Sequence, residues 1–470
     1  MFLCLSIFLP WFTAYFIICY LWPDLKRSGA QALMRGSLAI GMGFGISSCL
    51  FFVCLLFVGS HPDLSFVIDL SIFISSGCLF LYKVRKKDIR IGLKPEKKVS
   101  MKFHRPSLML AGFYVICTLA ITFFILNSVN ESNGTWDAIA IWNMRARFLF
   151  RGGDKWTEAF SNLYAWSHPD YPLLIPGNVA RIWTYVGHET TLAPIVLAFL
   201  FTFATVALMV SAIAYLRSSS QGLIAGMVLM GTSFFISHGN GQSADVPLGY
   251  FILAAVILFC LHDAAAGRGL QLLVFFSGMM AGFAAWTKNE GLLFIVSLIA
   301  ARFLVTIPRK GWRSYREEML FFIAGLLPIL IIVAYFKTQI APPNDLLSGQ
   351  GFNSMMHKIT DATRYAVIGK AFISKLLTLM KAMIFIFPLC LVLFGCSHEK
   401  KNHSGMVMPL FVLCFMLSGY FMIFLITPND LIWHLNTALQ RLFLQLLPVS
   451  LFAFFLGIAT PEEVTWRCGI

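Results

Sequence analysis

Charge is scarce in this chain. Asp, Glu, Lys and Arg make up only 12% of its 470 residues, against 58% hydrophobic ones. Soluble globular domains carry about 25% charged and about 45–50% apolar residues, so a water-soluble fold is excluded. Cysteine is missing from Asn127 to Thr190, and nearly all of the 11 cysteines fall inside apolar runs. No disulfide framework therefore holds the longest polar interval. The apolar N-terminal run, Phe2–Trp22, lacks the basic start and the A-x-A site of a cleaved leader, and Lys26, Arg27 and Arg35 follow it instead. It reads as a retained span with its N-terminus outside. A Gly-rich phosphate loop is absent too, which argues against nucleotide chemistry.

Long apolar runs are what the chain has in abundance. The sequence predicts spans at Phe2–Trp22, Leu38–Val58, Leu64–Tyr82, Leu108–Leu126, Leu192–Leu216, Leu223–Ile236 and Pro247–Leu261. Further spans are expected at Leu270–Trp286, Leu292–Ile307, Met319–Phe336, Leu376–Cys396, Met406–Ile426 and Leu442–Ile458. Each approaches the roughly 20 apolar residues a bilayer core requires, and helices are the open-chain elements that satisfy their backbone there. The expected fold is an all-α polytopic membrane protein with about thirteen transmembrane helices. Three parts are expected: 1–106, three leading spans and a basic linker; 107–336, a central module with the outer loop 127–190; and 337–470, outer loops and three spans.

The net charge of +14 would point to nucleic acid in a soluble protein, but here lysine and arginine collect in short loops and set orientation. No nucleic-acid partner is expected. The densely basic Lys83–Pro106 belongs in the cytoplasm, where it also suits anionic lipid. Alternation then puts Asn127–Thr190, His238–Asp245, Thr287–Glu290, Lys337–Ser374 and Thr427–Gln440 outside. Every polar motif of interest falls in that second set, which predicts a multi-pass cell-membrane protein, a bacterial inner membrane being the expected setting, with one active face outward.

In TWDAIAIWNMRARFLF, apolar residues recur at helical spacing, with Asn143, Arg145 and Arg147 at polar positions. The spacing predicts a helix in the membrane interface, with Asp137 just before its first turn. There a carboxylate can take a proton from a hydroxyl, and nearby arginines can pair with a phosphate. Capping by Asp137, and belt roles for Trp136 and Trp142, account for the same residues. The following HPDYPLLIP contains Pro169, Pro172 and Pro176, so it is extended, and it delivers His168, Asp170 and Tyr171 together. GNVARIW then restarts a helix that carries Arg181.

Shorter outer sites repeat this chemistry. In SADVPLGYF, Asp245 precedes Pro247 at a helix start, where capping is the simpler role. In WTKNEGLLF, Lys288 and Glu290 share a hairpin too tight to leave the membrane surface. In PNDLIWHLNTALQRL, Asp430, His434, Thr437 and Arg441 recur every three or four residues and form one polar helical stripe, predicted to lie on the bilayer. An Asp–His pair alone supplies too few ligands for a metal.

WDAIAIWNMRARFLF followed by HPDYPLLIP, with ADVPL and KNEGLLF at later outer turns, resembles the GT-C superfamily of glycosyltransferases. The likeness covers roughly Leu108 to Phe336 and is greatest to the branch similar to protein O-mannosyltransferases and lipid A aminoarabinose transferases. The chain departs from that branch in having Ala138 where a second acid adjoins the first, and in its three leading spans. The resemblance implies catalytic acid at Asp137, a polyprenyl-phosphate sugar as donor and an outward active site.

On that reading Asp137, helped by Asp170 or Asp245, deprotonates an acceptor glycan, lipid or protein, while Arg145, Arg147, Arg181, Lys288 and Arg441 hold the donor phosphate. Trp136, Trp142, Asn143, His168, Tyr171, Glu290, Asp430 and His434 are the expected substrate contacts. No cofactor is required, and a divalent metal stays open. A lipid-linked oligosaccharide polymerase or ligase is the alternative, and a secondary transporter the second. Transporters carry ionisable residues within spans, and here Asp69, Arg302 and Lys381 are the exceptions.

Overall fold

The computed structural model describes residues 1–22, 29–59, 62–86, 105–264, 271–344, 350–381, 383–397 and 400–467. All regular elements among them are helical, with a single isolated bridge between Cys396 and Ile458. Among the described residues nine helices are long and apolar enough to cross a membrane, or up to 11 if each of two bent pairs counts as one span. The protein is therefore an all-α polytopic membrane protein. The linker residues 87–104, with Lys26, Arg27 and Arg268, lie outside the described residues.

The leading helices are α1 (Phe2–Leu21), α2 (Gly29–Val58) and α3 (Pro62–Arg85), followed by α4 (Arg105–Asn130). Helix α2 runs through the middle of the bundle because its glycines admit neighbours that a side chain would exclude. A Cβ at Gly43 would stand 2.3 Å from the Pro10 carbonyl oxygen of α1, while Gly41 and Gly45 face the rings of Tyr250 and Phe283. Polar ties add to this seam: Tyr250 donates to the Ser37 carbonyl at 2.8 Å and Trp286 Nε1 to Ser48 Oγ at 3.0 Å.

The polar interval after α4 opens with a wide π turn, Ala138–Asn143, that leads into α5 (Met144–Arg151). Two 3-10 segments, Gly153–Phe160 and Asn162–Ser167, follow. The proline-bounded strap comes next, with His168 left-handed at φ 53, and then α6 (Leu174–Val186). We call this the loop end of the bundle.

Helix α7 (Leu192–Leu216) is regular. The run Leu223–Ile236, expected as one span, instead divides into α8 (Ser219–Met230) and α9 (Ser233–Asn240), bent by 65°. The break falls where Thr232 leaves helical geometry at φ −82, ψ 97. Helices α10 (Asp245–Ala264) and α11 (Gln271–Thr287) precede α12 (Glu290–Tyr335), which is broken at Gly311. There φ is +80 and ψ 171, a geometry that glycine adopts without a Cβ clash. The chain doubles back at this point, as Phe303 against Tyr315 and Arg302 against Glu318 show. Two expected spans, Leu292–Ile307 and Met319–Phe336, are the limbs of this hairpin. Helix α11 meets both: Gly291 abuts Ala284, and Gly325 abuts the Phe275 carbonyl.

After the short α13 (Phe352–Thr360) come α14 (Ala362–Leu379) and α15 (Met383–Phe394), bent by 71° within the expected span Leu376–Cys396, most of α14 lying in the stretch Lys337–Ser374 expected as an outer loop. Helices α16 (Lys400–Ile426) and α17 (Leu431–Gly457) complete the bundle, with α18 (Pro461–Arg467) at the end. The stripe predicted to lie flat on the bilayer is corrected here: Leu431 to Gly457 is one continuous helix, so the stripe runs down it. Its N-terminus is capped by Asp430, which accepts from the Trp433 amide at 2.8 Å.

Candidate functional site

The first residue of α10, Asp245, is the hub of the loop end. Its side chain is fully buried, yet its oxygens accept from Lys288 Nζ at 2.9 Å, Arg441 Nε at 3.0 Å, Gln445 Nε2 at 2.7 Å and Ser243 Oγ at 2.9 Å. A buried carboxylate persists only with such compensation. Its position follows from chain geometry: the Gly241–Ala244 turn after the broken α8–α9 pair aims it at α17 and at the α11–α12 turn.

Arg441 joins this hub to the large loop. Its Nη2 donates to Asp137 while its Nε holds Asp245. Asp137 keeps 16% of its side-chain surface exposed and Arg441 28%, so this pair opens to solvent where Asp245 does not. Among the described residues Arg441 is the cation that pairs with Asp137. Lys288 also pairs with Glu290 at 2.9 Å and sits 5.5 Å from the centre of the Tyr171 ring. Burial opposes the Lys288 charge, but Asp245 and Glu290 outweigh it and lift the ammonium above its usual range. Burial raises the Tyr171 hydroxyl in turn, which keeps it neutral. Gln445, one turn beyond Arg441, links Asp245 to Glu290 and accepts from Tyr420 at 2.8 Å.

A second polar node adjoins the first through the same turn. Asp170, 2% exposed, accepts from Asn289 at 2.6 Å and Asn344 at 2.7 Å, with Lys337 Nζ at 3.5 Å. Lys337 also donates to the Asp170 carbonyl and to Asn289 Oδ1. Rings order the strap between the nodes: Tyr171 stacks on Trp142 at 5.6 Å and on His168 at 5.1 Å.

The expected site residues divide accordingly. Asp137, Asp245, Lys288, Glu290 and Arg441 meet in one cluster, and Tyr171 lies against it. Trp136 is 59% exposed beside Trp166, whereas Trp142 is fully buried. Asn143 Nδ2 donates to Gln242 Oε1 at 2.9 Å. Other residues lie elsewhere. Arg181, expected at the donor phosphate, is buried in an ion pair with Asp69 at 2.7 Å and also donates to the Ser6 carbonyl. Arg147 pairs with Glu189 at 3.3 Å, beside Arg151. Burial raises the Glu189 carboxyl, but Arg151 and Arg147 prevail and hold it below its usual range.

Arg145 is fully buried and clasps the carbonyls of Ser167 and His168, so it serves the strap. Burial lowers its guanidinium to about 10, with Asp170 opposing the shift. Asp170, expected to help with proton transfer, is taken up by its amide and ammonium partners. Asp430 is a helix cap, and His434 bonds Thr427 at 2.9 Å, away from the cluster. Sequence reasoning passed over Gln445, Asn289, Lys337, Ser243 and Gln242. Gln445 continues the Arg441 stripe by one turn, a signal that was present.

A group with metal-ligand chemistry, His262, Asp263 and Glu318, occurs at the Gly311 end. Arg302 and Lys310 already pair with both carboxylates there, so the donors do not fit a cation. A concavity of about 660 Å³ beside Lys370 and Lys381 lies along α14 and includes none of the clustered acids. Comparison with known protein families, curated proteins and solved structures returns no match for this chain.

Proposed function

We propose that the protein is a membrane glycosyltransferase that moves a sugar from a polyprenyl-phosphate donor to an acceptor hydroxyl. The observation that supports this most is the unequal sharing of Arg441: Asp245 keeps Lys288, Gln445 and Ser243 without it, whereas Asp137 has Arg441 for its cation. An incoming phosphate competes for the exposed side of Arg441 and releases Asp137 as a base. The acceptor oxygen then attacks the anomeric carbon, its proton passes to Asp137, and the bond from that carbon to the phosphate oxygen breaks with its electron pair on the phosphate. Inversion follows from one displacement. Lys288 and Arg441 stabilise the departing charge in a partly dry site.

This reading includes thirteen membrane passes, an outward-facing loop end in a cell membrane and a GT-C-like arrangement. It needs no metal. Purified protein incubated with radiolabelled polyprenyl-phosphate sugars and glycan, lipid or protein acceptors should transfer label, and no transfer across such a panel counts against it.

One observation favours a secondary transporter instead. The broken α8–α9 pair, with its 65° bend, leads into buried ion pairs, a pattern transporters use for coupled ions. Uptake of labelled sugars or sugar phosphates into proteoliposomes without covalent transfer would select that reading.

A further inference from the structure

We propose that Lys337 is a positioning residue of the donor-phosphate site, which ties the strap carrying Tyr171 to the turn carrying Lys288. This rests on the transferase reading above. Lys337 stands at the end of the return limb of α12, inside the π turn Phe336–Ile340 that extends it. Its ammonium reaches two separate pieces of chain: the carbonyl and carboxylate of Asp170 in the strap, and Asn289 Oδ1 in the turn.

Those pieces are the neighbours of the residues that matter. Asn289 lies between Lys288 and Glu290, and Asp170 immediately precedes Tyr171. The spacing that Lys337 fixes is therefore the 5.5 Å separation of Lys288 Nζ from the Tyr171 ring. Asn289 completes a closed circuit by donating to Asp170 at 2.6 Å, so strap, turn and hairpin end are locked together. Pro169 and Pro172 lack amide donors and His168 is left-handed, so side-chain ties such as these supplement the stacking of Tyr171 on Trp142 and His168. Arg145 fastens its other end at Ser167 and His168. Asp170 acts here as an anchor: it is 2% exposed, and its Oδ2 accepts from Asn289 and Asn344 with Lys337 Nζ 3.5 Å away.

Hydrogen–deuterium exchange of the purified full chain, read beside equilibrium binding of sugar-free polyprenyl phosphate, tests this. Lys337→Ala should speed exchange at the Tyr171 and Gly291 amides, leave α17 unchanged, and weaken polyprenyl phosphate by about ten- to a hundredfold, the range for losing bonds to a charged group. Lys337→Arg should restore most of both, and Asp170→Asn, which keeps its acceptor oxygen, should fall between. Wild-type exchange in Lys337→Ala would overturn the proposal, as would weaker binding with exchange unchanged, because Lys337 would then touch the phosphate itself. If the wild type binds no polyprenyl phosphate while Lys337→Ala still loosens the strap and turn, the transferase reading fails and the positioning role stands.

Discussion

Arg441 donates to Asp137 across 304 residues of sequence, joining the polar stripe of α17 to the first turn of the large loop. The same guanidinium holds Asp245 at 3.0 Å. One cation thus spans a partly buried acid and a fully buried one, and the two acids are expected to behave differently when removed.

Asp245→Asn should destabilise the protein by about 3–5 kcal/mol, because Lys288 and Arg441 would lose their shared buried counter-charge. Asp137→Asn should cost no more than about 1 kcal/mol, since its ion pair is partly solvated. Thermal unfolding in one detergent, variant beside wild type, measures both. Equal losses would mean that Asp137 is as structural as Asp245.

Replacing Arg441 separates charge from geometry. Arg441→Lys keeps the charge but cannot reach Asp137 and Asp245 together through a planar fork. Transfer should fall by about a hundred- to a thousandfold, the range for losing one preorganised stabilising donor. Arg441→Gln should fall at least as far. Rates near wild type for Arg441→Lys would show that bridging is not needed.

The apolar runs made the helical, membrane-spanning class readable, because backbone satisfaction in lipid leaves helices as the open-chain choice. Breaks inside runs were harder to read. Thr232 interrupts an apolar stretch with no proline to announce it, and Gly311 sits in a basic turn already expected between spans. At the site, polar residues stranded at span ends drew attention to Asp137, Asp245, Lys288 and Arg441. Long-range pairing was illegible: nothing near Arg181 announces Asp69, 112 residues away, and without that pairing an outer arginine looks like a phosphate ligand.

The Asp69–Arg181 pair yields its own expectation. Arg181→Met alone should cost about 3–5 kcal/mol by stranding Asp69 among buried helices, whereas Arg181→Met with Asp69→Leu should recover much of that loss. A double-mutant cycle by thermal unfolding reads the coupling, and polyprenyl phosphate affinity should stay at the wild-type level in the double variant. Affinity lost together with Arg181 would return it to the donor site.

Acid should loosen the far side of the loop. Arg151 and Arg147 depress the Glu189 carboxyl, so its stabilisation is complete above the unfolded value of about 4.5 and is lost as pH falls through the lower folded value. Glu189 is 21% exposed but Arg147 and Arg151 are 36% and 66% exposed, and this solvent screening limits the effect to under about 1 kcal/mol. Limited proteolysis between Arg151 and Glu189 should therefore quicken below that value in the wild type. Glu189→Gln should cleave faster at neutral pH and show a weaker acid dependence; matching profiles would exclude the clamp.

The most direct measurement compares wild type and Asp137→Asn for single-turnover transfer of labelled sugar, with donor binding followed in parallel. The account predicts that the variant is folded, binds polyprenyl phosphate at least as well because Arg441 is no longer engaged by a carboxylate, and transfers sugar at least about a hundredfold more slowly. Undiminished transfer by Asp137→Asn would contradict it.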